Sequence, residues 1–566
     1  MIAKELRALI VDAMLQAMAA GEIPEIPEAD IPDFVLERPR HKTHGDWATN
    51  LALVLSGKMA RPPREIASAV AQRLTGGTER EESEIPTLAE IEVAGPGFIN
   101  FTLNRDRILS ELGRVAKEGA AYGRWDFGNG LRVLVEFVSA NPVGPLHVGH
   151  GRWAALGDAL CNLLAATGHE VEREFYLNDF GSQMELFATS VATRYLQLAG
   201  VDVEFPADGY HGDYIIDIAR RLFDEDGGLL ADSEEAPRRA ELGERAYAIE
   251  LRHIEESLTA FGVHFDTWFS ERELHLSGAV EDRVKELLES GLAYEEEGAV
   301  WMRTSSWGDD KDRVLVRQNG SPTYFASDIA YHMNKIDRGY DHLINIWGAD
   351  HHGYIARMQA ALTAQGHPGI LEIILGQLVN LKRDGEPVRM SKRTGELVTF
   401  DELLAEVGRD VARHIFLTRS QDSALDFDIT LAKQESMENP VYYVQYAHAR
   451  ICSILRYGKE QGIALGDEAP DLETLRLLEE EEEIGLCLKL FEFEELVRDA
   501  ALDRAPHRMT RYLEELAAAF HVFYNRHRVI SDDASLTAAR LFLVRCTRQV
   551  LQNALDILGV SAPDRM

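Results

Sequence analysis

Leu131-Arg-Val-Leu-Val-Glu-Phe137, the turn Asn141-Pro-Val-Gly-Pro-Leu-His-Val-Gly-His150 and the Ala/Leu-rich run Trp153 to Ala166 decide how this chain folds. A short apolar run, a Gly/Pro turn and a helix-forming segment read as strand, turn and helix. Backbone N–H groups and the positive end of a helix dipole face such a turn, so it suits phosphate. Gly144 and Gly149 let a nucleotide approach the main chain closely, and His147 and His150 add donors. Taken alone, His147 and His150 fit a metal pair or an ordinary helix start better than a phosphate site. A second element alters that balance. Arg389-Met390-Ser391-Lys392-Arg393 lies far downstream beside Gly395, where Lys392 can close on phosphates as a point charge. Together the two elements read as an ATP-adenylating site.

Working outward, residues 116 to about 410 alternate strand-like runs with amphipathic helices. The strand-like runs are Arg132 to Phe137, Glu172 to Leu177, Leu343 to Trp347 and Leu371 to Leu378. This alternation predicts a doubly wound, Rossmann-like parallel sheet. Between about 190 and 320 an acidic stretch with less regular strands, Ala299 to Arg303 and Arg313 to Arg317, reads as an insertion in that sheet. Gly348 and Asp350 end a later strand, where such sheets present ligand groups; Gly348 gives adenosine room and Asp350 reaches a ribose hydroxyl.

The phosphate elements resemble the two signatures of class I aminoacyl-tRNA synthetases, with Val148, Arg389 and Arg393 departing from the usual residues and Lys392 kept. Further stretches narrow the resemblance to the arginyl-tRNA synthetase family. These are Glu136-Phe-Val-Ser-Ala-Asn141, Phe175-Tyr-Leu-Asn-Asp179, Tyr324-Phe-Ala-Ser-Asp328, Trp347-Gly-Ala-Asp-His-His-Gly353 and Asn439-Pro-Val-Tyr-Tyr-Val-Gln-Tyr-Ala-His448. They occur in the family's order across most of the chain. The resemblance implies that ATP activates L-arginine to an adenylate and that the arginyl group moves to the 3′-terminal adenosine of the arginine tRNA. It also implies attack by the 2′-hydroxyl first and, commonly, activation that waits for bound tRNA.

Adenylation brings a carboxylate in line with the α-phosphate and stabilises charge on the phosphates, so positioning and electrostatics carry it. The expected catalytic groups are His147, His150 and Lys392. ATP is expected to meet His147, Gly149, His150, Gly348, Asp350, Met390, Ser391 and Lys392, with Mg²⁺ held by its phosphates and no dedicated protein metal site. A guanidinium is a planar fork of donors best met by carboxylates. Tyr324 and Asp328, spaced i, i+4, share a face if helical and can hold it between them. Asp328 has the apolar neighbours Phe325, Ile329 and Ala330, which predicts partial burial, and a buried unpaired carboxylate is costly. Glu136 and Asn141 are expected at the α-ammonium, and His352 completes the arginine-binding set.

Residues 1–115 read as an α+β appended domain. It opens with a helix from Ile2 to Ala20; His44 to Asn50 starts another, and Glu92 to Phe101 is turn then strand. The resemblance gives it the tRNA elbow. Residues 411–566 are almost wholly helical and match the family's anticodon-binding bundle. Tyr443 and Tyr446 lie on one helix side, where they either stack on splayed bases or pack a core. Met566 resembles the family ending and is the third expected tRNA contact. Glu479 to Glu483 is expected to be a solvated helix face.

Composition permits this reading. The chain has 566 residues, too many for one core. No window approaches a membrane span, and the charged, amphipathic start lacks the apolar region of a secretory signal. A cytoplasmic monomer is the expectation. Cys161, Cys452, Cys487 and Cys546 are scattered without a Cys-x-x-Cys pair, which argues against a zinc knuckle or disulfide framework. The net charge of −35 should repel nucleic acid in bulk. Screening within about 10 Å at ~0.1 M salt leaves contact to a local basic face, for which Arg504, His507, Arg508, Arg511, Arg526, His527 and Arg528 are candidates. Three other classes compete. A small-molecule nucleotidyltransferase would not need the appended domains. A tRNA binder without catalysis would be expected to show broken phosphate signatures. A metallohydrolase built on His147, His150, His351 and His352 lacks a His-Glu-x-x-His spacing.

Overall fold

A computed structural model describes residues 2–27, 31–39, 42–76, 86–388, 398–463, 466 and 468–566. Its centre is a five-stranded parallel sheet. In chain order its elements are β1 (Arg132–Glu136), α1 (Val148–Ala166), β2 (Glu170–Leu177), β3 (Thr267–Ser270), α2 (Glu271–Leu276), α3 (Tyr324–Asp337), β4 (His342–Gly348) and β5 (Leu371–Gly376). The strand order is β5-β4-β1-β2-β3. The chain leaves β1 toward β2 on one side and returns to β4 on the other. The β1/β4 boundary is therefore a topological switch point, the place at the carboxyl ends of the strands where open sheets of this kind bind ligands. Val133, Leu134 and Val135 of β1 are buried, as a strand covered on both faces requires.

The edge strand β3 arises inside the stretch expected to be insertion. Before it, the helices Ser182–Leu198, Asp213–Asp226 and Glu235–Ala260 close their own apolar cluster around Phe187, Tyr195, Ile215 and Leu242. After it, Ala293–Glu296, Ala299–Met302 and Arg313–Val316 form an antiparallel three-stranded sheet.

At the amino-terminal end a four-stranded antiparallel sheet is backed by the helices Leu51–Met59 and Pro63–Gly76, and Ile2–Ala19 packs on the second of them. The stretch His44 to Asn50 departs from expectation. Trp47–Thr49 is a strand whose Trp47 is buried, and the helix begins only at Leu51. Asn50 caps no helix N–H; its Oδ1 accepts from the Val35 N–H at 2.8 Å. The strand won because it buries Trp47 against Phe101.

The helices Pro440–Glu460, Glu481–Leu502, His507–Arg526 and Ala534–Leu558 bundle at the carboxyl-terminal end. Strand Leu425–Asp428 pairs in parallel with Val379–Arg383. Glu483 of the acidic run is fully buried, its Oε1 accepting from Arg540 Nε at 2.7 Å. The solvated face expected there turns inward at that residue. Arg413, also fully buried, donates to Asp158 of α1 at 2.5 Å and to the Leu558 carbonyl at 2.9 Å, tying sheet layer to bundle. One apolar core runs from Leu6 through Phe137 to Val560.

Several candidates for a basic face are matched by carboxylates: Arg504 by Glu372, Arg508 by Asp503, Arg511 by Glu515, and Arg526 and His527 by Glu482. All four cysteines are buried and free of disulfides. Among the described residues no helix is long and apolar enough to cross a membrane.

Candidate active site

The chain between β1 and α1 is strained. Val138 and Ser139 take φ of +71° and +33°. For a β-branched residue this is a true outlier, and such residues cost about 1–3 kcal/mol each. Ser139 shows what holds the strain: its Oγ donates to Glu136 Oε1 at 3.0 Å and accepts from the Tyr176 N–H at 3.1 Å. The chain then rejoins the sheet through an Ala140–Leu177 bridge, and Asn141 Nδ2 donates to the Asn178 carbonyl at 2.9 Å.

His147 is the N-cap of α1, and its ring stacks on that of His150 with centroids 3.7 Å apart. The His147 backbone N–H donates to His150 Nδ1 at 3.2 Å. That bond makes Nδ1 the acceptor, so the neutral His150 ring carries its proton on Nε2. A Cβ on Gly149 would lie 2.9 Å from the His147 ring, so glycine is what lets the two imidazoles stack. A Cβ on Gly144 would meet the Tyr214 ring at 2.8 Å. The glycine expected to admit a nucleotide thus also makes way for Tyr214, whose hydroxyl donates to the Val143 carbonyl at 2.8 Å.

Across the switch point Gly348 ends β4, in register with Gly376 of β5. The side chain of Asp350 lies outside the described residues, as do Arg389, Met390, Ser391, Lys392 and Arg393. The segments on either side of residues 389–397 are described. The Val388 N–H donates to the Leu381 carbonyl at 2.9 Å, Thr399 forms a bridge with His147, and the Phe400 N–H donates to the Leu146 carbonyl at 2.9 Å. Val388 is thereby held on its own sheet, and Thr399 and Phe400 on the phosphate turn.

Acidic side chains gather at the same sheet edge. Helix α3 carries Tyr324 at its start, 70% exposed, and the half-buried Asp328 one turn on. The phenol bonded to Asp328 is Tyr354, which donates to Oδ2 at 2.5 Å. Burial, with repulsion from Glu136, pushes Asp328 up to about 6 against that hydrogen bond. Glu271 opens α2 and is buried; burial, then Asp328 and Asp179, push it up to about 7. Asp179 holds α2 in place by accepting from the Arg272 N–H at 2.9 Å, Ser270 Oγ at 2.7 Å and Tyr247 Oη at 3.0 Å. Glu136 is buried, and although burial alone would raise it, Lys335 at 2.6 Å keeps it below the ordinary carboxylate range. Carboxyls raised by burial and by one another at a sheet edge make this a candidate binding site.

Three family models match most of the chain. The arginyl tRNA synthetase N terminal domain matches residues 4–103, the class I (R) tRNA synthetase catalytic domain matches 117–214 and 243–452, and the DALR anticodon binding domain matches 444–566. The arginine–tRNA ligase of Desulfitobacterium hafniense is 50% identical over 560 residues, spanning 99% of this chain and 98% of the relative. The chain belongs to the arginyl-tRNA synthetase family. The arginine–tRNA ligase of Carboxydothermus hydrogenoformans is 52% identical over 537 residues, 94% of each chain. The solved arginyl-tRNA synthetase of Thermus thermophilus superposes with a TM-score of 0.75 at 26% identity, covering 99% of this chain and 100% of that one.

Within this family member, His352 lies exposed beyond β4. Tyr443 and Tyr446 are half-buried around His521, with ring centroids 4.9 and 5.9 Å away, and Tyr443 also packs against the apolar core. The last residues lie along the helix Pro440–Glu460. Gln445 donates to the Ser561 carbonyl at 2.9 Å, His448 to that of Pro563 at 2.9 Å and Arg456 to that of Asp564 at 3.2 Å, leaving Met566 54% exposed. Among the described residues, the groups of three or more potential metal ligands are His448–Cys452–Asp564 and Glu480–Glu482–His527, which contain none of the histidines of a metallohydrolase reading. Sequence reasoning missed Glu271, Tyr354 and Lys335. Tyr354 directly follows the Trp347 to Gly353 motif, and Lys335 continues the Asp328 face of α3 at i+7, so both left a signal; Glu271 left none.

Proposed function

We propose that this arginine–tRNA ligase reads the arginine side chain with Asp328, Glu271 and Glu136, Glu136 moving from the α-ammonium expected of it because it faces Asp328, with Tyr324 and His352 at the rim and Asn141 beside the α-ammonium. The observation that carries this is the set of raised and paired carboxyls at the edge of the sheet that also bears the His147/His150 turn. A bound guanidinium pairs with such carboxylates in bidentate geometry. ATP lies along the switch point. His147 and His150 donate to its phosphates, Gly149 and Gly348 admit phosphate and adenosine, and Asp350 meets the ribose. Met390, Ser391 and Lys392 close over the phosphates, and Mg²⁺ comes with ATP on its phosphate oxygens. The arginine carboxylate attacks the α-phosphorus and pyrophosphate leaves. The 2′-hydroxyl of the terminal adenosine then attacks the adenylate carbonyl and AMP leaves. These steps need oriented donors rather than a protein nucleophile.

In this reading residues 1–115 meet the tRNA elbow, 116–410 carry the chemistry with an insertion at about 190–320, and 411–566 grip the anticodon. Tyr443, Tyr446 and Met566 face RNA. The protein acts as a monomer in the cytoplasm, where its substrates are. The test is arginine-dependent exchange of labelled pyrophosphate into ATP, with and without arginine tRNA. Exchange with arginine that appears on adding tRNA is expected; failure with arginine in the presence of tRNA overturns the reading.

A further inference from the structure

Helix α3 carries more than the arginine-facing Asp328. Its buried face continues through Tyr331, His332 and Lys335, and Lys335 is 0% exposed. Beneath it the register of three adjacent strands sets Asn345 of β4, Glu136 of β1 and Glu174 of β2 side by side. Lys335 Nζ donates to Glu136 Oε2 at 2.6 Å and to Asn345 Oδ1 at 3.1 Å, and lies 3.9 Å from Glu174 Oε1. Tyr331 Oη bridges the two glutamates, 3.1 Å from Glu136 and 2.5 Å from Glu174.

The direction of these bonds is determined. His332 Nδ1 faces the Asp328 carbonyl at 2.7 Å and must donate; Nε2 then accepts from Asn345 Nδ2 at 2.9 Å. Burial and Lys335 push His332 down to about 4, consistent with that neutral ring. A single chain of hydrogen bonds therefore runs from the Asp328 backbone through His332, Asn345 and Lys335 to Glu136. It fixes one acid relative to the other. Oε2 of Glu136 is filled by Lys335 and Tyr331, while among the described residues Oε1 accepts from Ser139 alone, which leaves a lone pair that a ligand can use.

We propose that Lys335 is a positioning residue for arginine recognition, holding the Glu136 carboxylate in an ion pair and at a fixed spacing from Asp328 through the Asn345–His332 relay. The inference rests on the proposed role of Glu136 at arginine. Glu174 also touches Lys335 but is held from the other side by Arg338 at 2.5 Å, so the site can lose its charge without losing the relay. The charged and titratable groups facing Glu136 are Lys335, Tyr331, His332 and Asp328 from α3, and Glu174 and Tyr176 from β2.

The experiment compares Lys335→Met, Asn345→Leu, Glu174→Gln and Glu136→Gln of the full chain. Thermal midpoints, the KM values for arginine and ATP in tRNA-dependent pyrophosphate exchange, and the pH profile of kcat/KM for arginine are measured for each. Lys335→Met is expected to raise the arginine KM by about tenfold or more with the ATP KM nearly unchanged, and to move the acid limb of the profile to higher pH. Asn345→Leu breaks the same relay without stranding a charge, and is expected to raise the arginine KM about threefold or more. It decides the matter if Lys335→Met does not fold. Glu174→Gln is expected to lower the thermal midpoint while holding the arginine KM within about twofold. An unchanged arginine KM in a folded Lys335→Met, or in Asn345→Leu, overturns the proposal, as does an equal rise in Glu174→Gln. Glu136→Gln separates the two readings. If it leaves the arginine KM unchanged, the role of Glu136 fails; if it raises that KM while the relay variants do not, only the role of Lys335 fails.

Discussion

Tyr354, in the turn after β4, donates its hydroxyl to Asp328 on α3 at 2.5 Å, joining the two sides of the switch point at the acid assigned to arginine. Neither residue touches the His147/His150 turn through a hydrogen bond among those described, so the amino-acid and phosphate sides can be perturbed separately.

The first prediction concerns pH. Asp328 and Glu271 are pushed up to about 6 and about 7, mainly by burial. Raised acids contribute stability that is fully present below their unfolded values and is lost as pH rises through the folded ones. Apo stability from this pair therefore declines between roughly pH 4 and 7. Arginine binds the ionised forms, so its affinity climbs over the upper part of that window with release of protons. Calorimetry of arginine binding from pH 5.5 to 8 in buffers of different ionisation enthalpy checks both; an affinity flat with pH would refute it.

Arg413→Met should be strongly destabilising. The guanidinium is fully buried and bonded to Asp158, Leu558 and Phe261, and removing one partner of a buried pair costs about 3–5 kcal/mol. Urea titration followed by far-ultraviolet dichroism should show an earlier transition, with the bundle and the sheet domain losing their common midpoint.

Gly157→Ala tests packing under the phosphate turn. A Cβ there would sit 2.2 Å from the buried Phe137 ring. Overpacking of this kind costs about 1–3 kcal/mol, against the ~1 kcal/mol that alanine gains in a helix. A lowered thermal midpoint is expected; a raised one would mean the ring moves aside freely.

His253, on helix Glu235–Ala260, meets Asp401 at 2.9 Å and Glu250 at 3.4 Å. The hydrogen bonds to Asp401 and then Glu250 push it up to about 10. Its contribution is fully present below its unfolded value, near 6.5, and disappears as pH rises through about 10. Asp401 lies in the first turn of the helix that follows residues 389–397. His253→Ala should lower the thermal midpoint at pH 7 and leave it closer to that of the parent at pH 10.5, read by scanning calorimetry.

Much of this architecture is legible in the sequence because buried parallel strands are continuous apolar runs and the turn after β1 is marked by Gly, Pro and His. Strand β3 escaped because it has four half-buried residues inside an acidic stretch and pairs on one side only. Trp47 misled the reading of its segment because a strand formed where N-cap chemistry favoured a helix. At the site, His147, His150 and Asp328 were visible from spacing. Glu271 was not, since its role depends on β3 delivering a six-residue helix to the sheet edge, a relation with no local pattern. The inward turn of Glu483 was hidden in the same way, because its partner Arg540 lies on another helix.

The most direct test of the central claim, that carboxylates at this edge read the arginine side chain, is pyrophosphate exchange by Asp328→Ala with arginine tRNA present, varying arginine and ATP in turn. The arginine KM should rise by at least about a hundredfold while that for ATP changes little, as loss of a charge-assisted bidentate contact implies. Equal effects on both substrates would make Asp328 structural and contradict the account.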